Sequence, residues 1–525
     1  MNQFRAASVF SNHMVLQRNK NINVFGEGLD GELVSVSFLG EMVETKVVDG
    51  KWMAVLSPRE AATGLEMIVR CKEQEIRFIH IAIGEVWLAG GQSNMEYELQ
   101  NCTGGNEFLT QDENSNVRFY YTMKRSYMDE EFFAEELKSS WKEFNSEDAK
   151  SWSAVGYLYA KQLAKELGVT VGVIGCNWGG TSASAWMDTK NLVVDQELNT
   201  YVEEYQKATQ GKSIEQQIKE YKEYEAYHAD WEKRSSQCYA NDPEITWAKL
   251  QEICGLCQWP GPMCCINPYR PGGLYECMLK RVMPYTIRGF IYYQGESDDH
   301  KPEMYYKLFS RMIQQWREDW GDLELPFLFV QLPMHRYKQD PDFKNWCKIR
   351  EAQMKVYQTI KHTGIAVCID CGEFNEIHPK DKLPVANRLA LQALYEVYHK
   401  VSESVANGPR YQSMVMRKSE IDLLFTNAES GFLVKDSNGE FENAKIVEGF
   451  EVAGEDKEFV SAKAEVHGAI ITVSSEQIVV PKYVRYCWTN YGPVSLFGKN
   501  KLPLAPFRTS PQDQKLEGNS TFAKV

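Results

Sequence analysis

No run in the 525 residues reaches the roughly 18 to 20 uninterrupted apolar positions of a spanning helix. The opening MNQFRAASVFSNHMVLQ also lacks the apolar core of a secretory leader. The expectation is therefore no membrane partner and a cytoplasmic location, or an exported one if a leader had been trimmed. Basic charge is not in excess either: 58 Lys+Arg against 72 Asp+Glu leave a formal charge of −14, which disfavours nucleic acid as a partner. No repeat of fixed period and no low-complexity segment is visible. Cysteine is plentiful, but its 13 residues are odd in number and scattered, which suits buried thiols better than a disulfide framework. Cys254, Cys257, Cys264, Cys265, Cys368 and Cys371 form close pairs. The QWPGPM spacer between the first two pairs is too short for a zinc finger or ribbon, so no metal is expected.

What is present is an ordinary globular composition, 43% hydrophobic and 25% charged, with a length that suits about three or four domains. Residues 1–80 alternate as short strands, as in Leu33-Val34-Ser35-Val36-Ser37-Phe38, and read as a small β domain. From residue 81 the rhythm changes. Apolar runs (IAIGEVWLA, VTVGVIGC, IRGFIYY, PFLFVQL, GIAVCID) alternate with helix-period stretches at 155–167, 304–320, 345–360 and 385–399. That pattern predicts an α/β fold over 81–406, a doubly wound parallel sheet of about five strands. A polar stretch rich in Glu, Lys and Tyr at about 189–256 reads as an inserted helical hairpin or lid with a solvated face. Strand alternation returns over 407–525. The parallel sheet is thus expected between two β-sandwich-like regions.

Ligands of such sheets bind just beyond the carboxyl ends of the strands. Reading those ends in turn gives AGGQSNM with Ser93, NWGGTSASAW with Gly179 and Gly180, QGESDDH with Gln294 and Glu296, and CGEFNEIHPKDK with Glu376 and His378. A hydroxyl, a glycine pair, an amide and a carboxylate with a histidine are the parts of an acyl-transfer site. Ser93 reads equally as a helix N-cap or as a hydroxyl exposed by a glycine-permitted turn. The segment is not a G-x-S-x-G elbow, because Met95 stands where the second glycine belongs. Gly179 and Gly180 would let backbone N–H groups approach a substrate carbonyl, or simply form a turn. Gln294 offers a side-chain donor at the same edge, and Glu296 reads as a buried hydrogen-bond acceptor beneath it. His378 precedes Pro379, which favours a loop at a strand end, with His300 and His335 as rivals.

GEVWLAGGQSNME, NWGGTSASAW, IYYQGESD and EIHPKDK, in this order, resemble the sialate O-acetylesterase family of SGNH-type esterases, which is itself similar to plant-type acetylxylan esterases. The flanking VFSNHMVLQRNKNINVFGEG and VRYCWTNYGPVSLFGKNKLPLAPFRT carry the same resemblance. It implies an SGNH, flavodoxin-like catalytic sheet, Ser93 as nucleophile and His378 as general base. It further implies Gly179 or Gly180 and Gln294 as oxyanion donors. The wider SGNH pattern places Asp three residues before the histidine, where this chain has Asn375, and Glu376 follows it. Glu376 is the expected partner of His378, with a Ser–His dyad as the alternative. The implied activity is removal of O-acetyl groups from carbohydrate, foremost O-acetylated sialic acid, without metal or organic cofactor. Acetylxylan deacetylation and a non-catalytic carbohydrate-binding role are the competing readings. Oligomeric state is left open.

Overall fold

Strands form where β-branched and aromatic residues run together, and helices where apolar residues recur at helical spacing. The structure, a computed structural model, describes residues 4–111, 116–242, 245–338, 340–436 and 438–510. The central strands are β1 (Gln74–Gly91), β2 (Val117–Tyr121), β3 (Val171–Asn177), β4 (Gly289–Tyr293), β5 (Phe327–Gln331) and β6 (Thr363–Val367). They lie side by side in the order β2-β3-β1-β4-β5-β6, and every neighbouring pair is parallel. The short strand Lys142–Glu143 closes the β2 edge in the antiparallel sense. The expected five strands are therefore one too few. The sixth, VRFYY, is short and follows the polar stretch QDENSN, so its apolar content stands out poorly.

Around the sheet run α1 (Ser93–Glu96), α2 (Ala154–Leu167), α3 (Asn199–Thr209), α4 (Ile214–Asn241), α5 (Tyr305–Trp320), α6 (Asn345–Thr359) and α7 (Leu383–Glu396). Helices α2 and α7 pack together, as do α5 and α6, making two helical layers. Strands β3, β4 and β5 are buried at every position, as strands covered on both faces must be. From β1 the chain winds to β3 on one side, whereas β4, β5 and β6 progress to the other. The winding reverses between the neighbours β1 and β4, where such sheets open a crevice at their carboxyl edge.

Strand β1 is the structural hinge between regions. Its first residues alternate between exposed and buried while they pair antiparallel with Ala62–Cys71, and its last eleven residues are buried without interruption. The change comes at a bulge: His80 has φ of 57°, and the pairing register slips around it. An extra residue there bends the strand from one sheet into the next. The boundary expected after residue 80 falls inside this strand, and the N-terminal strands Val15–Gln17, Leu33–Phe38, Glu41–Lys46 and Ala62–Cys71 belong to the same eleven-stranded sheet as β1 to β6. A separate three-stranded sheet (Arg5–Ala6, Ile22–Glu27, Lys51–Leu56) completes that end.

The stretch expected as an insert carries Thr189–Val193, α3, α4 and Trp247–Cys254. Its long α4 turns Tyr221, Tyr224 and Trp231 inward, against Cys264, Leu250 and Cys254. Beyond residue 407 three antiparallel sheets of five, three and four strands surround a second hydrophobic core, which Met334 and Ile369 join to the central region. No helix among the described residues is long and apolar enough to cross a membrane.

Candidate active site

Strand β1 ends in Gly90-Gly91, and the second glycine is obligatory. Its φ is 134°, and a Cβ there would lie 2.1 Å from the Tyr293 carbonyl oxygen on β4. The Gln92 N–H donates to that same carbonyl (3.1 Å), so the chain turns sharply and starts α1 at Ser93. From below, the Ser153 hydroxyl at the start of α2 donates to the Met95 carbonyl at 2.5 Å and caps its own helix through the Gly156 N–H. A turn pinned on two sides holds the Ser93 hydroxyl at the carboxyl edge of the sheet.

There it meets His378. Ser93 Oγ and His378 Nε2 lie 2.8 Å apart, although the residues are 285 positions apart in sequence. The histidine stands on the loop after β6. Glu376 folds back within that loop, so that its Oε1 accepts the His378 N–H at 2.8 Å and lies 3.7 Å from the imidazole Nδ1. That carboxylate is near the ring but beyond hydrogen-bond length from it. Asn375, three residues before the histidine, has φ of 63° and turns its side chain to accept the Lys338 N–H. His335 braces the loop by bonding its Nδ1 to the Glu376 carbonyl at 3.1 Å, and His300 bonds the Ser297 carbonyl instead. Burial pushes the His378 imidazole below its ordinary value, opposed by Glu376 and Glu96 and assisted by Lys382. A histidine kept neutral near pH 7 can accept a proton from the hydroxyl it touches.

The glycine pair follows β3. A Cβ on Gly179 would lie 3.2 Å from the Ser93 Cβ, so the backbone there runs directly beside the hydroxyl-bearing residue. Its N–H donates to Glu96 Oε2 at 2.6 Å, and Glu96 also pairs with Lys124. Gly180 has φ of 74° and is walled by Trp259 and Tyr269, which follow the helical stretch in sequence. Gln294 does not join this cluster as a free donor. Its amide nitrogen donates to the Thr181 carbonyl (3.2 Å) and Asp298 Oδ2 (2.7 Å), and its oxygen accepts from the Tyr305 hydroxyl at 3.0 Å. Buried Asp298 also accepts the Ser182 hydroxyl and the Ala183 N–H. Gln294 and Asp298 together thus frame the glycine loop from behind, and both amide protons of Gln294 are engaged. The expectation that Gln294 faces the reacting centre as a donor is corrected accordingly.

Two residues that the sequence reading passed over lie beneath the Ser–His pair. Asn94 donates through Nδ2 to Glu296 Oε1 (2.7 Å) and to the Ile377 carbonyl (3.0 Å), and its Oδ1 accepts from Lys382 Nζ at 2.6 Å. Glu296 and Lys382 are each only 1% exposed. Burial raises the Glu296 carboxyl to about 7 and lowers the Lys382 ammonium to about 8. Lys382 also lies 4.6 Å from the centre of the Tyr97 ring, whose other neighbour is the His378 imidazole. Both residues sit within the motifs around Ser93 and His378, but a lysine reads as solvated by default, so nothing in composition marked Lys382 as buried. Among the described residues no group of three or more His, Cys, Asp or Glu gathers to hold a metal, and every cysteine is a free thiol.

Residues 256–385 match the family described as carbohydrate esterase, sialic acid-specific acetylesterase. That segment holds Gln294, Glu296, His378 and Lys382 and lies C-terminal to Ser93. Over a longer span the chain is 24% identical to the mouse sialate O-acetylesterase, covering 75% of this chain and 74% of the mouse protein. The human sialate O-acetylesterase is 25% identical, with 74% and 70% covered. Among solved structures, a carbohydrate acetylesterase from Xanthomonas citri superposes with a TM-score of 0.74 at 26% identity, covering 97% of this chain and all of that one. The chain is thus similar to sialate O-acetylesterases in sequence and to a carbohydrate acetylesterase over nearly its whole fold.

Proposed function

We propose that this relative of the sialate O-acetylesterases is a serine esterase of the SGNH type that removes O-acetyl groups from carbohydrate, foremost O-acetylated sialic acid. The observation that carries the reading is the 2.8 Å contact between Ser93 Oγ and His378 Nε2, on turns at the carboxyl edge of the sheet beside the winding reversal.

Ser93 Oγ attacks the acetyl carbonyl carbon while its proton passes to His378 Nε2. The negative oxygen that forms is received by backbone N–H groups. Ser93, as the first residue of α1, has no intrahelical acceptor for its N–H, and Gly179 and Gly180 run alongside. The N–H of Gly180 has no acceptor among the described residues, whereas that of Gly179 is held by Glu96. The tetrahedral carbon then expels the sugar oxygen, which takes the proton from His378. Water attacks the acetyl-serine with His378 again as base, and acetate leaves as Ser93 recovers its proton. Glu376 holds the histidine loop through the His378 N–H and supplies negative charge near Nδ1 as the ring becomes cationic. None of these steps calls for a metal or organic cofactor.

Acetate release from O-acetylated sialic acid, measured beside release from acetylated xylan oligosaccharides, tests the reading. Faster turnover of the sialic acid ester is the expected result. Preference for xylan would move the assignment to the acetylxylan esterases, and no acetate from either substrate or from an aryl acetate would overturn it.

A further inference from the structure

Beneath the reacting pair, the chain places one amide where it touches both halves of the site. Asn94 follows Ser93 directly, and the carbonyl it binds, Ile377, directly precedes His378. A single side chain therefore spans the nucleophile turn and the histidine loop. Its orientation is set by charge at both ends. Lys382, a donor only, faces the amide oxygen, and the Glu296 carboxylate faces the amide nitrogen. A flipped amide would set N–H against ammonium and oxygen against carboxylate.

We propose that Lys382 is a positioning residue for the esterase reaction: with Glu296 it locks the Asn94 amide, and that lock fixes the spacing of Ser93 and His378. The inference rests on the esterase reading above. Lys382 has a second effect through space, since its positive charge disfavours a second positive charge on the imidazole. The groups facing Lys382 are Glu296 from the loop after β4, Cys371 and Glu373 from the loop after β6, and Cys102 from the segment after α1. The rings of Tyr97 and Tyr293 complete its surroundings. The imidazole is faced by Glu376, Lys382 and Glu96. A lysine in this place loses its proton far below the solvent-exposed range, at about 8. The lock therefore weakens in mildly alkaline solution.

The experiment compares the full-length protein with Lys382→Met, Lys382→Arg and Glu296→Gln, following the imidazole titration of His378 by NMR and kcat and KM for an aryl acetate against pH. Lys382→Met is expected to lower kcat roughly 10- to 100-fold, the scale of a small misplacement of reacting groups, with KM little changed. It should also move the imidazole titration to higher pH, and Lys382→Arg should bring that titration back. Because Glu296 itself titrates at about 7, the NMR signal rather than the rate identifies which group has shifted. Glu296→Gln retains an acceptor for Asn94 but removes the countercharge of Lys382, so the alkaline fall in kcat should start at lower pH. A folded Lys382→Met protein with unchanged kcat and unchanged imidazole titration overturns the proposal. If that variant does not fold, an alkaline limb that stays in place in Glu296→Gln overturns it instead. An imidazole shift in a protein that hydrolyses no acetyl ester would count against the esterase reading and leave the lock standing.

Discussion

Two buried carboxylates, one on β1 and one beside its carboxyl end, are built in opposite ways. Glu85, on the strand itself, receives Arg18 Nε at 2.6 Å, Arg288 Nε at 2.7 Å and Gln17 Nε2 at 3.0 Å. Burial pushes its carboxyl upward, but the bond and charge of Arg288, with Gln17 and Arg18, more than offset this and leave it below the ordinary carboxylate range. Glu296, at the carboxyl edge, has Asn94 on one oxygen, no partner on the other among the described residues, and its lysine held one amide away. Its carboxyl rises to about 7. A saturated charge is a joint between parts, whereas an undersatisfied one sits where protonation can change near neutral pH. The same sheet thus keeps its rigid ionic joint away from the chemistry and its titratable pair directly below it.

The largest effect tests the chemical end. Ser93→Ala should lower kcat by at least roughly 10³-fold, as loss of a nucleophile does in such sites, with the thermal unfolding curve unmoved. The rigid end should behave inversely. Glu85→Gln leaves two arginines without a countercharge and should cost about 3–5 kcal/mol in denaturant unfolding, with kcat on an aryl acetate largely retained in the folded protein. The pH dependence sharpens the contrast. The folded Glu85 carboxyl lies below 4.5, so its stabilisation is complete above that pH and is lost as pH falls through the folded value. The folded Glu296 carboxyl lies above 4.5, so the folded state binds the extra proton, and stability declines as pH rises from 4.5 to about 7. Denaturant titrations of Glu85→Gln and Glu296→Gln should remove slopes of opposite sign.

Smaller effects concern the frame. Gln294→Leu leaves the Thr181 carbonyl and one Asp298 oxygen with one donor fewer, a loss of about 1–3 kcal/mol. Its kcat should fall less than the roughly 10²- to 10³-fold that removal of an oxyanion donor brings, and steady-state rates of the folded variant measure this directly. Glu376→Gln should be milder still, about tenfold or less in kcat, because a glutamine oxygen can still accept the His378 N–H. A loss near the roughly 10⁴-fold seen when a directly bonded triad carboxylate becomes an amide would instead show that Glu376 reaches Nδ1 during turnover.

The layout of the sheet was readable because fully buried parallel strands leave uninterrupted apolar runs, and five such runs stand out. Val117–Tyr121 lacked that signature, lying beside a short antiparallel edge strand and after a polar stretch. The boundary near residue 80 was read from a real change in pattern, from alternation to continuous burial, but the change occurs within one strand at a bulge. At the site, residue types at strand ends pointed to Ser93, His378 and the glycine loop, because the topology gathers those ends. Side-chain direction was not legible: Gln294 turns toward Asp298, and Asn375 toward the Lys338 N–H. Lys382 was hidden for a related reason, since its burial depends on Asn94 and Tyr97 from the nucleophile turn and on Glu296 from a second, distant segment.

The continuity of β1 has a mechanical meaning. One continuous strand, paired along its length but slipping register at the bulge around His80, runs from Gln74 to the glycines below Ser93, so the amino-terminal region cannot be cut away as a detachable module. A truncation near residue 80 would strip partners from the strand that seats the nucleophile, and heating should melt both sheets in one cooperative transition. Grafting this reaction centre onto another scaffold would require transplanting Gln74–Gly91 whole.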